Sequence, residues 1–270
     1  MYDQILETAN YLKAKLIELP TFGVILGSGL GDFIDDINIT HTIPYSEIPH
    51  FPQSTVLGHK GALVFGKIGH KNVVAMQGRF HYYEGYDMQT VTFPVRVMKF
   101  LGVETLIVSN ASGGVNKNYV VGDVVAITDH INFFPEHPLR GMNDDRLGPR
   151  FVNMSEPYSH QLIDLAMEIS DYFQLNIKKG IYLGLQGPTF ETLAEYKMVK
   201  QLGADCVGMS TVPEVIVAKH MNMNCFGVSV ISDMGNEESI TSVNHQEVLA
   251  AVKIAEPVMR LLVKELILRH

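Results

Sequence analysis

The stretch Phe22-Gly-Val-Ile-Leu-Gly-Ser-Gly-Leu-Gly31 decides the fold class of this chain. Its first five residues are a short apolar run, and the five that begin at Gly27 are rich in glycine. This pattern predicts a strand that ends in a glycine turn. Ligands of open α/β folds gather at the carboxyl ends of strands, so the polar groups that follow each apolar run are the candidate site residues.

The same alternation continues along the chain. Two β-rich runs, residues 62–68 and 72–76, flank a Gly-His pair and predict a hairpin. Further strands are predicted at residues 104–109, 123–128, 181–185, 207–209 and 226–231. Helices are predicted within residues 1–20 and at 89–101, 156–173, 192–202 and 213–221, and a long C-terminal helix from Asn244 is expected to kink near Pro257.

Strands that alternate with helices predict an α/β fold: a single domain over residues 1–270, with a central mixed, largely parallel twisted β-sheet flanked by helices. Residues 133–153 are rich in Pro, Gly, Asn, Asp and Arg and predict a long loop. Loops of that length inside compact domains are usually functional or interfacial.

Composition narrows the function classes. The 270 residues carry a net charge of −8, which disfavours nucleic acid and anionic membranes as partners. No apolar run is long enough to span a bilayer, and Asp3 and Glu7 lie where a signal peptide would be basic. Cys206 and Cys225 form no CxxC motif, which indicates two core thiols in a cytoplasmic protein. No metal site is expected, because the eleven histidines include no HxxxH pair.

Three glycine-containing segments are candidates for holding an anion. The turn from Gly27 offers backbone N–H groups and the Ser28 hydroxyl, although such loops are as often plain turns. The segment Ser109-Asn-Ala-Ser-Gly-Gly114 can present backbone N–H groups to the same anion. His59, in Gly58-His-Lys-Gly61, is either a further donor or a surface histidine, and taken alone the surface interpretation is favoured.

The richest cluster is Gly78-Arg-Phe-His-Tyr-Tyr-Glu-Gly-Tyr86. If this segment is extended, Arg79, His81 and Tyr83 share one face, because strand side chains alternate. A bidentate guanidinium, an imidazole and a phenol would then lie along one side of a pocket. The alternative is a solvated surface loop, which four aromatic residues in so short a segment disfavour.

Together with Gly187-Pro-Thr-Phe-Glu-Thr192 and Gly203-Ala-Asp-Cys-Val-Gly-Met-Ser-Thr-Val-Pro-Glu-Val215, these segments resemble the trimeric, low-molecular-mass class of purine nucleoside phosphorylases. The resemblance runs from the Gly27 turn to Ala251. It implies phosphorolysis of purine (deoxy)ribonucleosides, such as inosine and guanosine, to the free base and (deoxy)ribose 1-phosphate. It also implies a homotrimer that uses inorganic phosphate as co-substrate and needs no organic cofactor or metal.

The resemblance implies a role for each matching residue. Phosphate is expected to lie against Ser28, His59, Arg79, His81, Ser210 and the backbone of Ala111. The ribose is expected to lie against Tyr83, Met209, His245 and a Phe151 lent by a neighbouring subunit. The purine is expected to lie against Phe190, Glu191, Val207 and Asp233. The expected catalytic residues are His81, Glu191 and Asp233, which act while the C1′–N9 bond lengthens and phosphate captures C1′ without a covalent enzyme intermediate.

Asp233, in Val230-Ile-Ser-Asp-Met234, departs from the family pattern. Members specific for 6-oxopurines carry Asn at this position, whereas related phosphorylases that accept adenine nucleosides carry Asp. We therefore expect Asp233 to act as a general acid toward purine N7 and the substrate range to extend beyond inosine and guanosine. Two lesser departures are Gln186 and Ser112.

Four alternatives differ in what they require. A nucleoside hydrolase would use water, which the surplus of phosphate donors disfavours. A phosphorylase that prefers adenosine, xanthosine or methylthioadenosine is favoured by Asp233, although His245 suits a 5′-hydroxyl better than a 5′-thiomethyl group. A catalytically silent nucleotide-binding protein would not need the complete polar set. A nicotinamide dehydrogenase would need an acidic ribose-binding residue after a second long strand, and none lies there.

Overall fold

The computed structural model describes residues 1–28, 30–56, 60–235 and 245–270, without the side chain of His245. The helices are α1 (Tyr2–Lys13), α2 (Met88–Leu101), α3 (His160–Phe173), α4 (Leu193–Gln201), α5 (Val212–His220) and α6 (His245–Arg269). The strands are β1 (Phe22–Ile25), β2 (Asn38–Pro44), β3 (Ala62–Ile68), β4 (Lys71–Gln77), β5 (Thr105–Gly114), β6 (Val124–Asn132), β7 (Lys178–Gly184), β8 (Cys206–Gly208) and β9 (Asn224–Met234).

The predicted strand at Phe22 is β1. All four of its residues are buried, as expected for a strand inside the sheet. It pairs in parallel with β4 on one side and with β5 on the other. The predicted hairpin is also confirmed, since β3 and β4 pair antiparallel with Ala62 opposite Gln77. Parallel neighbours bring their carboxyl ends to one edge, which places the residues after β1, β4 and β5 together.

The second half of the sheet curls into a closed ring of strands. β5 pairs in parallel with β9, β9 pairs antiparallel with β6, and β6 pairs in parallel with β7. The short strand β8 joins β7 to β5 and completes the ring. The predicted mixed α/β sheet flanked by helices is confirmed.

Several element bounds differ from the prediction. β2 was not predicted, because most of its residues are exposed and alternate irregularly between polar and apolar side chains. β5 runs five residues beyond Ser109 to Gly114, because its second half pairs with β9. α3 begins only at His160, where Ser159 caps it. α6 continues through Pro257.

Cys206 and Cys225 are buried free thiols, as predicted for core residues. Burial raises the pKa of each thiol to about 12. In the described part of the chain, no helix combines the length and the apolar character that crossing a membrane requires.

Candidate active site

A cavity of about 480 Å³ lies at the carboxyl ends of β1, β4, β5, β8 and β9. Most of the predicted site residues meet on its wall: Ser28, Arg79, His81, Tyr83, Ala111, Phe190, Glu191, Val207, Met209, Ser210 and Asp233. Phe151 does not line it and is 88% exposed. His59 lies outside the described residues, and so does the side chain of His245.

One end of the cavity is formed where β1 passes close to β5. A Cβ on Gly27 would lie 2.7 Å from the Ser109 carbonyl oxygen and 2.9 Å from Asn110 Cα, so only glycine fits here. The Gly27 N–H donates to Ser109 Oγ at 3.2 Å and is therefore directed into the protein. Ser28 follows it on the cavity wall.

Arg79 reaches this end of the cavity but directs its terminal nitrogens into the protein. Nη1 donates to Thr211 Oγ1 at 3.1 Å and lies 3.4 Å from Glu214 Oε1. Nη2 donates to the carbonyl oxygens of Ile25 (3.3 Å) and Ser109. Nε has no hydrogen-bond partner among the described residues. The expected bidentate guanidinium therefore has its terminal N–H groups occupied by protein acceptors.

His81 is oriented by Glu84, a residue that the sequence analysis did not assign. Glu84 Oε1 accepts from the His81 backbone N–H (2.8 Å) and lies 3.0 Å from His81 Nδ1. Its other oxygen accepts from the Thr55 N–H and hydroxyl. Burial alone would raise the pKa of Glu84, but these hydrogen bonds outweigh it and lower the pKa to about 2. The ionised carboxylate holds the imidazole proton on Nδ1, which makes Nε2 the acceptor nitrogen of the neutral ring.

Burial, chiefly, lowers the pKa of His81, so the imidazole is neutral at pH 7. The extended backbone ends at His81, and Tyr83 lies in a short 3₁₀ turn (Tyr82–Glu84). The segment is therefore not extended as far as Tyr83. The Tyr83 ring instead stacks on the His81 ring with centroids 4.6 Å apart, and both residues line the cavity.

Thr211 is a second residue that sequence reasoning missed. Its φ is +74°, and the Val212 N–H donates to the Ser210 carbonyl oxygen at 2.8 Å, which closes a tight turn. A β-branched residue in this region costs about 1–3 kcal/mol. Thr211 Oγ1 accepts from Arg79 and from Asn110 Nδ2 (2.8 Å), so its own proton is left for Ser210 Oγ at 3.2 Å. The Ser210 proton is then available to a ligand.

The hydrogen-bonded chain continues from Asn110 to Ser112, both of which line the cavity. Ser229 Oγ donates to Asn110 Oδ1 at 2.6 Å, and Ser112 Oγ lies 2.6 Å from Ser229 Oγ. Ser112, one of the two lesser departures from the family pattern, therefore has a structural role in this chain of hydrogen bonds. Gln186 does not line the cavity, and nothing in the structure explains it.

The middle of the cavity is apolar on one wall. A Cβ on Gly187 would lie 2.5 Å from Met209 Sδ and 3.1 Å from Tyr83 Cδ1, so glycine lets these two side chains converge. Burial raises the pKa of Tyr83 to about 12, and the phenol is neutral. Tyr83 and Met209 both line the cavity beside Gly187.

Glu191 and Asp233 both line the cavity, and Tyr196 of α4 lies beside Asp233. The Tyr196 hydroxyl donates to Asp233 Oδ2 at 2.9 Å, and the Glu191 carboxyl interacts electrostatically with both groups. Ser232 Oγ lies 2.8 Å from Asp233 Oδ1. Burial, followed by the charge of Asp233, raises the pKa of Glu191 to about 7. Tyr196 was not predicted, because an aromatic residue inside a helix reads as a core residue.

Across the described ranges, no three His, Cys, Asp or Glu side chains lie close enough together to hold a metal ion.

Comparison with known proteins relates the whole chain to one group of enzymes. The phosphorylase superfamily profile matches residues 21–268. Purine nucleoside phosphorylase 1 of Bacillus subtilis is 47% identical over 270 residues, which cover all of both chains. Isoform 2 of the Schistosoma mansoni purine nucleoside phosphorylase, solved with cytosine and ribose-1-phosphate, has a TM-score of 0.94 and 43% identity, with coverage of 99% and 96%. A Schistosoma mansoni purine nucleoside phosphorylase solved with adenosine has a TM-score of 0.93 and 40% identity, with coverage of 98% and 96%.

Proposed function

The chain belongs to the purine nucleoside phosphorylases of the phosphorylase superfamily, and on this premise we propose how the cavity at the strand ends is divided among phosphate, sugar and base. Such an enzyme is a pentosyltransferase that moves a pentosyl group from a purine to phosphate. One observation carries the division: Ser28, Arg79, His81 and Ser210 meet on the wall of the same cavity as Glu191 and Asp233. We treat residues 1–270 as one domain built around it.

Phosphate occupies the end lined by Ser28, Arg79, His81, Ser210 and the backbone of Ala111, with His59 as a further donor. Because Glu84 holds the His81 proton on Nδ1, the neutral ring offers Nε2 as an acceptor. A phosphate monoanion donates to Nε2, or equivalently a protonated His81 donates to the dianion. The Arg79 charge favours either form of the anion, and its terminal N–H groups reach phosphate by exchanging protein acceptors.

The ribose lies between the two ends, against Tyr83 and Met209, with His245 toward its 5′-hydroxyl. As the C1′–N9 bond breaks, the ribosyl group becomes cationic and the purine becomes anionic. Phosphate held below C1′ stabilises the cation and then bonds to C1′, which yields the pentose 1-phosphate. Donors fixed where the charge develops are typically worth about 2.7–4 kcal/mol each, so residues of the chain suffice without an organic cofactor or metal.

The purine lies against Phe190 and Val207 with its polar edge toward Glu191 and Asp233. Inosine and guanosine suit an ionised Glu191, which accepts from N1–H, while Asp233 acts as an acid toward N7. The second candidate is a phosphorylase that also accepts adenosine. It is favoured by the Asp233 carboxyl, by a pKa of about 7 at Glu191 and by the Schistosoma relative that binds adenosine.

A homotrimer completes this site, because Phe151 is exposed on the chain that carries it and does not reach its own cavity. The buried free thiols support the cytoplasmic setting that the composition predicts. The net charge of −8 supports partners that are small molecules rather than nucleic acid or membrane.

The decisive assay follows release of free base from inosine, guanosine, xanthosine, adenosine and methylthioadenosine, each with and without phosphate. We expect base release from inosine and guanosine that requires phosphate and yields pentose 1-phosphate. Equal release without phosphate would identify a hydrolase instead. Binding of nucleoside with no release under either condition would leave only a nucleoside-binding protein.

A further inference from the structure

Two hydroxyl groups hold the carboxyl of Asp233 in the wall of the cavity. The Tyr196 hydroxyl donates to Oδ2 at 2.9 Å, and the Ser232 hydroxyl donates to Oδ1 at 2.8 Å. Asp233 and Ser232 line the cavity, whereas Tyr196 is buried and does not line it. Tyr196 therefore acts on a bound base through a neighbouring side chain, and its hydrogen bond identifies Asp233 as that neighbour.

Close packing fixes the Tyr196 hydroxyl beside this carboxyl. Gly113 of β5 lies opposite Asp233 of β9 in the sheet, and a Cβ on Gly113 would lie 3.1 Å from both Asp233 Oδ2 and Tyr196 Oη. A Cβ on Gly235 would collide with the Tyr196 ring. Glycine at both positions therefore lets a residue of α4 reach the end of β9, and the buried ring holds its hydroxyl on the carboxyl.

The two donors suit a carboxylate better than an amide at this position. An ionised carboxylate accepts at both oxygens, and each oxygen keeps a further lone pair for a ligand in the cavity. An amide nitrogen cannot accept, so in Asp233→Asn one of the two hydroxyls would face another donor. Hydrogen bonds that are donated to a charged acceptor are also the stronger ones, and they stabilise Asp233 in its ionised form.

Ser232 holds the carboxyl less firmly than Tyr196 does. The Ser232 hydroxyl also lies 3.2 Å from the Ser112 carbonyl oxygen, so its one proton has a second acceptor to which it can turn. The Tyr196 hydroxyl is carried by a rigid, buried ring. Tyr196 is therefore the donor whose removal should change Asp233 most.

We propose that Tyr196 positions the ionised Asp233 carboxylate to accept from the 6-amino group of adenine, and that it thereby sets the preference of the cavity between adenosine and inosine. The inference rests on the proposed function and names the substrate class of the same site. A 6-oxopurine presents a carbonyl oxygen in place of the amino group, and a carboxylate repels that oxygen unless a proton lies between them. The Tyr196 hydrogen bond opposes such a proton, because it stabilises the ionised form.

Glu191 supplies the complementary group for adenine. Adenine presents an acceptor at N1 beside the donor of its 6-amino group. Burial, followed by the charge of Asp233, raises the pKa of Glu191 to about 7, so a proton is available for N1. A protonated Glu191 and an ionised Asp233 therefore offer one donor and one acceptor to this edge of the base.

The first test uses Tyr196→Phe, which keeps the ring and removes the hydroxyl. kcat/KM for adenosine and for inosine is measured at pH 7 with saturating phosphate. We expect the adenosine-to-inosine ratio to fall about tenfold, as for the loss of one hydrogen bond to a charged group. The 6-amino group keeps its bonds throughout the reaction, so the loss should appear in KM for adenosine rather than in kcat. An unchanged ratio, or a fall carried by kcat, would overturn the proposal.

The second test asks whether Tyr196 acts through Asp233. In the Asp233→Asn background the carboxylate is absent, so Tyr196→Phe should change the ratio by less than about twofold. A second tenfold fall in that background would mean that the phenol acts on the base independently of Asp233, and it would overturn the proposal. If Tyr196→Phe does not fold, Ser232→Ala removes the other donor and should lower the ratio about threefold, and an unchanged ratio there would overturn the proposal.

The matched control is Tyr119→Phe, which deletes another buried phenol hydroxyl, donated to the Lys179 carbonyl oxygen at 2.7 Å, away from the cavity. Its ratio should equal that of the unaltered enzyme, and an equal fall in the control would assign the effect to general destabilisation and overturn the role of Tyr196. Phosphate-dependent base release from inosine but not from adenosine, in the unaltered enzyme, would overturn this inference alone. Absence of phosphate-dependent release from both substrates would instead refute the proposed function.

Discussion

At the scale of single residues, the proposed function gives Asp233 the role of an acid toward the purine N7. Replacement Asp233→Asn keeps a donor there but removes the transferable proton and the full negative charge. We expect kcat/KM for adenosine to fall at least about tenfold relative to inosine, because an amide cannot match the 6-amino group as a carboxylate does. The ratio of the two values, measured beside an Asp129→Asn control on the exposed part of β6, checks this. An unchanged ratio together with an unchanged pH profile would remove the acid role.

On the proposed function, Glu84 acts on phosphate through the His81 ring that it orients. In Glu84→Gln a neutral amide can no longer hold the imidazole proton on Nδ1 by charge. Because Glu84 raises the pKa of His81, that pKa should fall further in the variant. Loss of a hydrogen bond to a charged group costs about 1.5–3 kcal/mol, so KM for phosphate should rise roughly ten- to a hundredfold. The nucleoside KM should change much less. Glu156→Gln, an exposed change in the segment before α3, serves as the control. Equal phosphate KM values in the unaltered enzyme and both variants would contradict a role of Glu84 in phosphate binding.

At the scale of elements, the start of α4 fixes the backbone beside Glu191. Thr192 Oγ1 accepts from the Glu195 N–H at 3.2 Å, and the Glu195 carboxylate accepts from the Thr192 N–H at 2.7 Å. Thr192→Ala should lower the free energy of unfolding by about 1 kcal/mol and raise the nucleoside KM. Ser159→Ala, which uncaps α3 away from the cavity, should lower stability without changing KM. Urea unfolding measures the stability, and initial rates measure the nucleoside KM. An unchanged KM in Thr192→Ala would show that the helix cap does not position the site.

The start of α4 also shows what local sequence can predict. The pattern Thr-x-x-Glu carries its own hydrogen bonds, so the helix predicted at residues 192–202 begins where expected without knowledge of the rest of the chain. The buried strand β1 was predicted from its own apolar run and the glycine turn that follows it. In contrast, β5 continues to Gly114 only because β9 supplies a partner more than 100 residues later, and no local pattern contains that pairing.

The same difference between local patterns and distant contacts explains which site residues were predicted and which were missed. Residues that match a family motif, such as Arg79, His81 and Glu191, were placed on one cavity wall. Tyr196 and Thr211 were missed because their roles come from contacts with residues distant in sequence, Asp233 and Arg79. The internal bonding of Arg79 was also unpredictable, since side-chain direction follows from packing around the strand ends.

At the scale of the whole molecule, buried histidines make the fold sensitive to acid. Burial lowers the pKa of His130 to about 4, and it also lowers the pKa values of His81 and His220. The unfolded chain binds these protons first, so the stability that the neutral rings contribute is complete above about pH 6.5 and is lost toward pH 4. The raised pKa of Glu191 acts in the opposite direction between about pH 4.5 and 7.

Histidines with a lowered pKa outnumber the carboxyls with a raised pKa, Glu191 and Glu256, so the urea midpoint should fall as the pH is lowered from 7 to 5. His130→Asn should flatten the curve, because the residue that replaces it does not titrate. A midpoint that stays constant or rises on acidification would show that the histidines do not control acid stability.

The last prediction concerns how copies of the chain complete one another. Phe151 is 88% exposed and belongs to the long segment between β6 and α3, which the composition predicts to be functional or interfacial. If it closes the sugar site of a neighbouring copy, Phe151→Ala lowers activity and raises the nucleoside KM, whereas His81→Ala inactivates the cavity of its own chain. Mixed, reassociated oligomers of these two variants then contain sites in which an intact cavity meets an intact Phe151. We expect activity to reappear on mixing, up to about one site in four for equal amounts assorted at random, because each chain choice is independent. Mixing that restores nothing, although mass measurement shows mixed oligomers, would mean that each chain builds its site alone.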